Sequence, residues 1–236
     1  MAAVRAVFAA LCIALTACGS STAPPAPTLT PPETPTAAAT TPAAGPSATA
    51  SVAASRCVEE GGELRYASGT TTVRGAFLRP QGTGPFPAAL VLHTRGGLNE
   101  HTRSEASWLA SRGFIAYAPD YFTPVGVTPR SFDRQTFTLR YSDAVRDLLA
   151  GAISCLRERG DVERSRVGVV GFSMGGYFAA VLAARDDVNA AAAWYAAYAG
   201  SPANNVPAQH SWTDVAAAAK RPLLLLHGDA DQDVRI

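Results

Sequence analysis

From about residue 57 to the end of the chain, short apolar runs alternate with stretches in which apolar positions recur every three or four residues. Ala88 to Leu92 is continuously apolar, as expected of a strand covered on both faces. Phe114 to Ala118 and Val167 to Val170 repeat that pattern, and Ala190 to Trp194 and Leu223 to Leu226 predict two more buried strands. Ahead of them, Glu63 to Tyr66 and Thr71 to Leu78 predict two early strands, closed by Arg79-Pro80. Helical spacing falls between the runs. It covers Glu100 to Ser111 (Ala106, Leu109, Ala110), stopped by Gly113, and Thr138 to Arg159, with Ala144, Leu148, Ala152 and Cys155 on one face. Met174 to Ala184 and the stretch around Asp214 to Ala219 are helical too, and residues 121–137, with Pro124, Gly126 and Pro129, read as irregular. Strands alternating with helices predict an α/β fold: a mostly parallel central sheet with helices on both faces.

The first 56 residues do not share this pattern. Arg5 is followed by the apolar run Ala6 to Leu15, shorter than the roughly 20 residues that span a bilayer but suited to the core of a secretory signal. The run ends in Leu15-Thr16-Ala17-Cys18, which resembles the lipobox of bacterial lipoproteins. That resemblance implies a signal peptide over 1–17, acylation of Cys18, and a lipid-anchored location in the bacterial cell envelope. An ordinary signal peptide with an incidental cysteine is the alternative. Residues 18–56 are mostly Ala, Thr, Pro, Ser and Gly, cannot bury a core, and read as a disordered tether to a domain over 57–236.

Composition narrows the partners. The net charge is +1, Lys220 is the lone lysine, and the arginines are scattered, which argues against nucleic acid. No CxxC or HxxxH spacing occurs, so neither a metal nor an organic cofactor is implied. Of four cysteines, Cys12 lies in the signal and Cys18 is the lipidation candidate. Cys57 and Cys155 remain as a possible disulfide in an oxidising compartment, or as two separate thiols.

The chemistry is concentrated in three places. Gly171-Phe172-Ser173-Met174-Gly175-Gly176 lies between a Val-rich strand and an Ala-rich helix. This is the G-x-S-x-G elbow, in which a strained serine needs small residues two positions away on either side. Ser173 is therefore the candidate nucleophile. The second place is His93-Thr94-Arg95-Gly96-Gly97-Leu98-Asn99, which follows a buried strand. Its glycines let backbone N–H groups approach a substrate oxygen, so the N–H groups of Met174 and Arg95 are the candidate oxyanion hole. A plain strand-to-helix turn would also use glycines. The third is His227-Gly228-Asp229-Ala230-Asp231, past the last apolar run, where Asp231 is the candidate acid, Asp229 and Asp233 compete, and a simple polar turn is the alternative.

Residues from about 64 to 236 resemble the dienelactone hydrolase family of the α/β-hydrolase superfamily. The resemblance is carried by Pro87 to His93 with Gly97-Leu98-Asn99, by Gly113 to Tyr121, by Val167 to Gly176, and by His227 to Asp231. It implies an α/β-hydrolase fold lacking the last strand and helix, Asp231 as the acid, and hydrolysis of a small-molecule ester. Two departures matter: the family's namesakes use cysteine where this chain has Ser173, and a glutamate where it has Thr94, so a generic carboxylic ester is the expected substrate. The family order is Ser, acid, His, yet His93, His101, His210 and His227 all precede Asp231. His93 and His227 read as strand-end residues, His101 as a surface residue, and His210 as the one free enough to reach the site. The expectation is a chain incomplete at its C-terminus and impaired as a catalyst. The rival expectation is a non-catalytic envelope lipoprotein with a hydrolase-like fold.

Overall fold

The computed structural model describes residues 57–197, 212–232 and 234. The expected signal peptide and tether, with Cys18, His210 and Asp233, lie outside the described residues. Among the described residues eight strands form one sheet: β1 (Cys57–Glu60), β2 (Glu63–Ser68), β3 (Thr71–Leu78), β4 (Phe86–Leu92), β5 (Ile115–Asp120), β6 (Val162–Phe172), β7 (Ala190–Trp194) and β8 (Leu223–Leu226). Their spatial order is β1-β2-β3-β5-β4-β6-β7-β8. The β1 to β3 meander and its junction with β5 are antiparallel; β5-β4-β6-β7-β8 run parallel. All five parallel strands thus present their C-terminal ends on one edge, which is where sites form in such sheets.

The helices are α1 (Glu100–Ala110), α2 (Arg134–Arg140), α3 (Ser142–Glu158), α4 (Met174–Leu182) and α5 (Trp212–Ala218). Two apolar clusters lie on opposite faces of the sheet. One gathers Leu90, Leu92, Ile115, Tyr117 and Val169 with Leu149, Ile153 and Leu156 of α3 and Phe178 and Leu182 of α4. The other gathers Val91, Ala116, Val170 and Phe172 with Ala106 and Leu109 of α1. Strict alternation of the side chains along each strand produces this division. None of the helices in the described residues is long and apolar enough to cross a membrane.

Cys57 at the start of β1 is bonded to Cys155 of α3, with Cα atoms 5.4 Å apart. The bond ties the outermost strand to a helix of the main core.

Four expectations need correction. The helix expected over 138–159 is two helices meeting at Tyr141, whose φ of −122° breaks the helical geometry. α2 starts early because the Asp133 side chain accepts from the Thr136 N–H at 2.8 Å, an N-cap. On α3 the buried residue of the first turn is Val145, and Ala144 is exposed. β5 does not stop before Pro119: that residue pairs with Gly75 of β3, beyond Tyr117, the last β5 residue in register with β4, so its missing N–H costs no ladder bond on that side. Finally, β8 is the outermost strand among the described residues, and Leu225 is 52% exposed, so this strand is not buried on both faces.

Candidate active site

Ser173 stands between the last residue of β6 and the first of α4, with φ 53° and ψ −118°. L-residues rarely adopt that conformation, and it persists only when the surroundings impose it. They do so by three backbone hydrogen bonds: Ser173 N–H to Trp194 O at 2.9 Å, Ala197 N–H to Ser173 O at 2.9 Å, and Tyr177 N–H to Ser173 O at 3.1 Å. The glycines are steric necessities. A Cβ on Gly171 would lie 2.0 Å from the Gly175 oxygen, and one on Gly176 would lie 2.9 Å from the Trp194 oxygen.

Against this elbow lies the loop after β4. A turn from Thr94 to Gly97, closed by Gly97 N–H to Thr94 O at 3.1 Å, carries Arg95 at its tip. Gly97, at φ 72°, turns the chain toward Asn99, whose side chain caps α1 by accepting from the Thr102 N–H. Met174 opens α4, so its N–H has no intrahelical partner. The Arg95 N–H also has none among the described residues. Both residues flank Ser173 in the lining of one cavity.

That cavity is walled by Phe132, Phe137, Tyr177 and Phe178, with Arg95 and Arg134 exposed at its rim. The aromatic wall is continuous: Phe122 stacks on Phe132, Phe132 meets Phe137, and Phe137 meets Phe178. A second, wider cavity of about 450 Å³ shares Ser173, Arg95 and Arg134, and adds Thr94, Tyr195, Asp231 and Val234. Ser173 and Asp231 therefore face a common space from the ends of β6 and β8. Asp231 is held there by accepting from the Val234 N–H at 2.9 Å. Asp229 is exposed and outside that lining.

The histidines are placed differently. His93 is fully buried at the end of β4. His101 is exposed in the first turn of α1, edge-on to Phe172. His227 lies with Nε2 2.5 Å from the Val234 carbonyl and 3.7 Å from Asp231. Among the described residues, no histidine lines either cavity beside Ser173. No group of three His, Cys, Asp or Glu among the described residues could hold a metal ion.

Sequence reading missed Tyr195, Arg134 and the aromatic wall. Tyr195 follows β7 with φ 35°, and burial, then the nearby negative charges of Glu105 and Asp231, push its hydroxyl above the usual range. Its place just past a parallel strand was the available signal. Phe132, Arg134 and Phe137 come from a stretch without periodicity, and nothing in the sequence ties them to Ser173.

A parallel sheet whose central strand turns through a strained serine into a helix, with a glycine loop and an acid on the same edge, is the architecture of an α/β-hydrolase. A model of the dienelactone hydrolase family matches residues 73–236. Candidate carboxymethylenebutenolidases from Methylorubrum extorquens and Escherichia coli are 31% and 32% identical, over 66% and 65% of this chain. Those matches span 55% and 58% of the relatives, so the chain covers less than two thirds of their length. The crystal structure of a candidate dienelactone hydrolase from Klebsiella pneumoniae superposes with a TM-score of 0.60 at 27% identity, covering 71% of each chain. The chain belongs to the dienelactone hydrolase family.

Proposed function

We propose that this protein is a serine hydrolase acting on a small carboxylic ester, with Ser173 as nucleophile. The observation that carries the reading is the strained Ser173 between two glycines that admit no Cβ, facing the same cavity as Asp231. In the reaction the Ser173 oxygen attacks the ester carbonyl, and the N–H groups of Met174 and Arg95 accept the charge on its oxygen by donating hydrogen bonds. A base takes the serine proton and returns it to the leaving alcohol, and water then releases the acid from the acyl-enzyme. Asp231 orients that base. The aromatic cavity suits the apolar part of the ester. Ser173 in place of cysteine and Thr94 in place of glutamate favour a generic ester over the lactone chemistry in the relatives' names.

One observation favours a second reading, a non-catalytic envelope lipoprotein: the described residues beside Ser173 include no histidine. A fluorophosphonate probe separates the two. Because no described histidine stands beside Ser173, the 236-residue chain is expected to react slowly, and a chain extended by the C-terminal segment of a relative quickly, with hydrolysis of a short-chain aryl ester. Ser173→Ala in the extended chain should lower the rate by several orders of magnitude. Activity retained with alanine at 173 ends the assignment, and an inert extended chain favours the lipoprotein reading.

The same proposal places the protein in the cell envelope, held by a lipid on Cys18. Its support is Leu15-Thr16-Ala17-Cys18 after an apolar run. Cys18→Ala should abolish fatty-acid labelling and free the protein from the membrane fraction; unchanged labelling rules the anchor out.

A further inference from the structure

His93 is the most enclosed polar side chain beside the site, 0% exposed. Its ring lies flat on Tyr121, centroids 3.7 Å apart at 5°, with Phe122 edge-on at 4.8 Å. The Tyr121 hydroxyl donates to the His93 carbonyl, so ring and main chain are both pinned. Nδ1 lies 2.7 Å from the Thr94 carbonyl, and Nε2 is buried with no partner. A carbonyl only accepts, so Nδ1 must carry the proton. A second proton on Nε2 would bury an unpaired charge, so the ring is neutral.

The bond this ring makes has a directional consequence. Thr94 O accepts from His93 Nδ1 and from the Gly97 N–H, while Thr94 Oγ1 accepts from the Gly96 N–H at 3.1 Å. The cis peptide in the described chain is Gly84-Pro85, so Thr94–Arg95 is trans. In a trans peptide the N–H points away from the C=O. Fixing the Thr94 carbonyl on His93 therefore aims the Arg95 N–H the opposite way, and Arg95 borders Ser173 in both cavities.

We propose that His93 is a positioning residue of the oxyanion hole: its Nδ1–H holds the Thr94 carbonyl, and the rigid peptide thereby aims the Arg95 N–H at the substrate oxygen. This deepens the serine hydrolase reading and rests on it. His93 touches no substrate and exchanges no proton in the reaction.

The test has two arms on the 236-residue protein. In the first, two-bond proton–nitrogen spectra of protein labelled with 15N-histidine report each ring's tautomer. One ring should be fixed with its proton on Nδ1, and that signal should vanish in His93→Asn. A His93 proton found on Nε2 overturns the proposal. The second arm measures phosphonylation of Ser173 by a fluorophosphonate, whose phosphoryl oxygen occupies the oxyanion hole, with imidazole in the buffer to take the serine proton. His93→Phe keeps the ring's bulk but not the donor, and should slow labelling by roughly 10- to 100-fold. His93→Asn can place an amide N–H where Nδ1 stands, and should recover to within about threefold of wild type. Melting curves on both variants allow rates to be compared at equal folded fraction. Wild-type speed in His93→Phe, or an Asn variant no better than Phe, overturns the proposal while the hydrolase reading stands. If Ser173 is labelled neither in this protein nor in the extended chain, that reading falls and this proposal with it.

Discussion

Gly175 crosses the end of β4 so closely that a Cβ on it would sit 2.4 Å from the carbonyl oxygen of Leu92. The clash is with main chain, which cannot rotate away. Gly175→Ala should therefore displace α4 from β4, costing about 1–3 kcal/mol of stability and most of the reactivity of Ser173. Gly160→Ala is the matched control, since a Cβ there meets nothing within 4 Å. Melting temperatures and phosphonate labelling of the two variants check this, and an unaffected Gly175→Ala would mean that the elbow has more room than its geometry allows.

Arg95 and Arg134 stand at the rim shared by both cavities. An arginine there can pair with a carboxylate on the substrate. Arg95→Ala, which keeps the backbone N–H, should raise KM for esters of dicarboxylic acids by about tenfold and leave neutral esters within about twofold, as loss of one charge-assisted bond implies. An equal effect on both substrates would rule out a contact with the substrate carboxylate.

Cys57 and Cys155 close a loop with a sequence separation of 98. A bond across so long a loop removes much unfolded-state entropy, about 4–5 kcal/mol in the chain-entropy model. Protein recovered from an oxidising compartment should present no free domain thiol when unfolded without reductant. Reduction should lower its unfolding free energy by an amount of that order. Two titratable thiols would contradict the bond.

Burial holds the His93 pKa down to about 4, partly offset by the bond to Thr94 and by the charge of Asp120. The groups against the ring are Tyr121 and Phe122, and the main chain of Gly175 lies against the His93 carbonyl. In the unfolded chain the same imidazole titrates near 6.5. Between those values the unfolded state binds the extra proton, so stability falls as pH drops from about 6.5 toward 4. The slope approaches about 1.4 kcal/mol per pH unit. Denaturant titrations of wild type and His93→Asn across this window should differ by that slope; parallel curves would contradict it.

How much of this was legible in the sequence differs by element. The limits of β7 and β8 were readable because each is an unbroken apolar run. The exposure of β8 was not, since four leucines look alike at the centre and the edge of a sheet. The kink at Tyr141 was hidden because apolar spacing continues through it, and the break lies in one backbone dihedral. At the site, Gly171, Ser173 and Gly175 were legible because the elbow requires those residue types at fixed spacing. Asp231 was chosen over Asp229 from the family resemblance, and the turn that carries one into the cavity and leaves the other in solvent could not be read from spacing. Arg134 and the phenylalanine wall were illegible, because tertiary packing alone brings Phe132 and α2 over the sheet edge.

The placement of Cys57 also has a mechanical meaning. Residues 1–56 join the domain at the first residue of β1, a four-residue edge strand that a pull from that side would otherwise peel from β2 one hydrogen bond at a time. The sulfur bridge passes such a load from Cys57 directly into α3, whose buried face is rooted in the core. Tension on the amino-terminal segment would then be borne by the covalent frame of the domain, and the strained turn at Ser173, several strands away across the sheet, would be spared it.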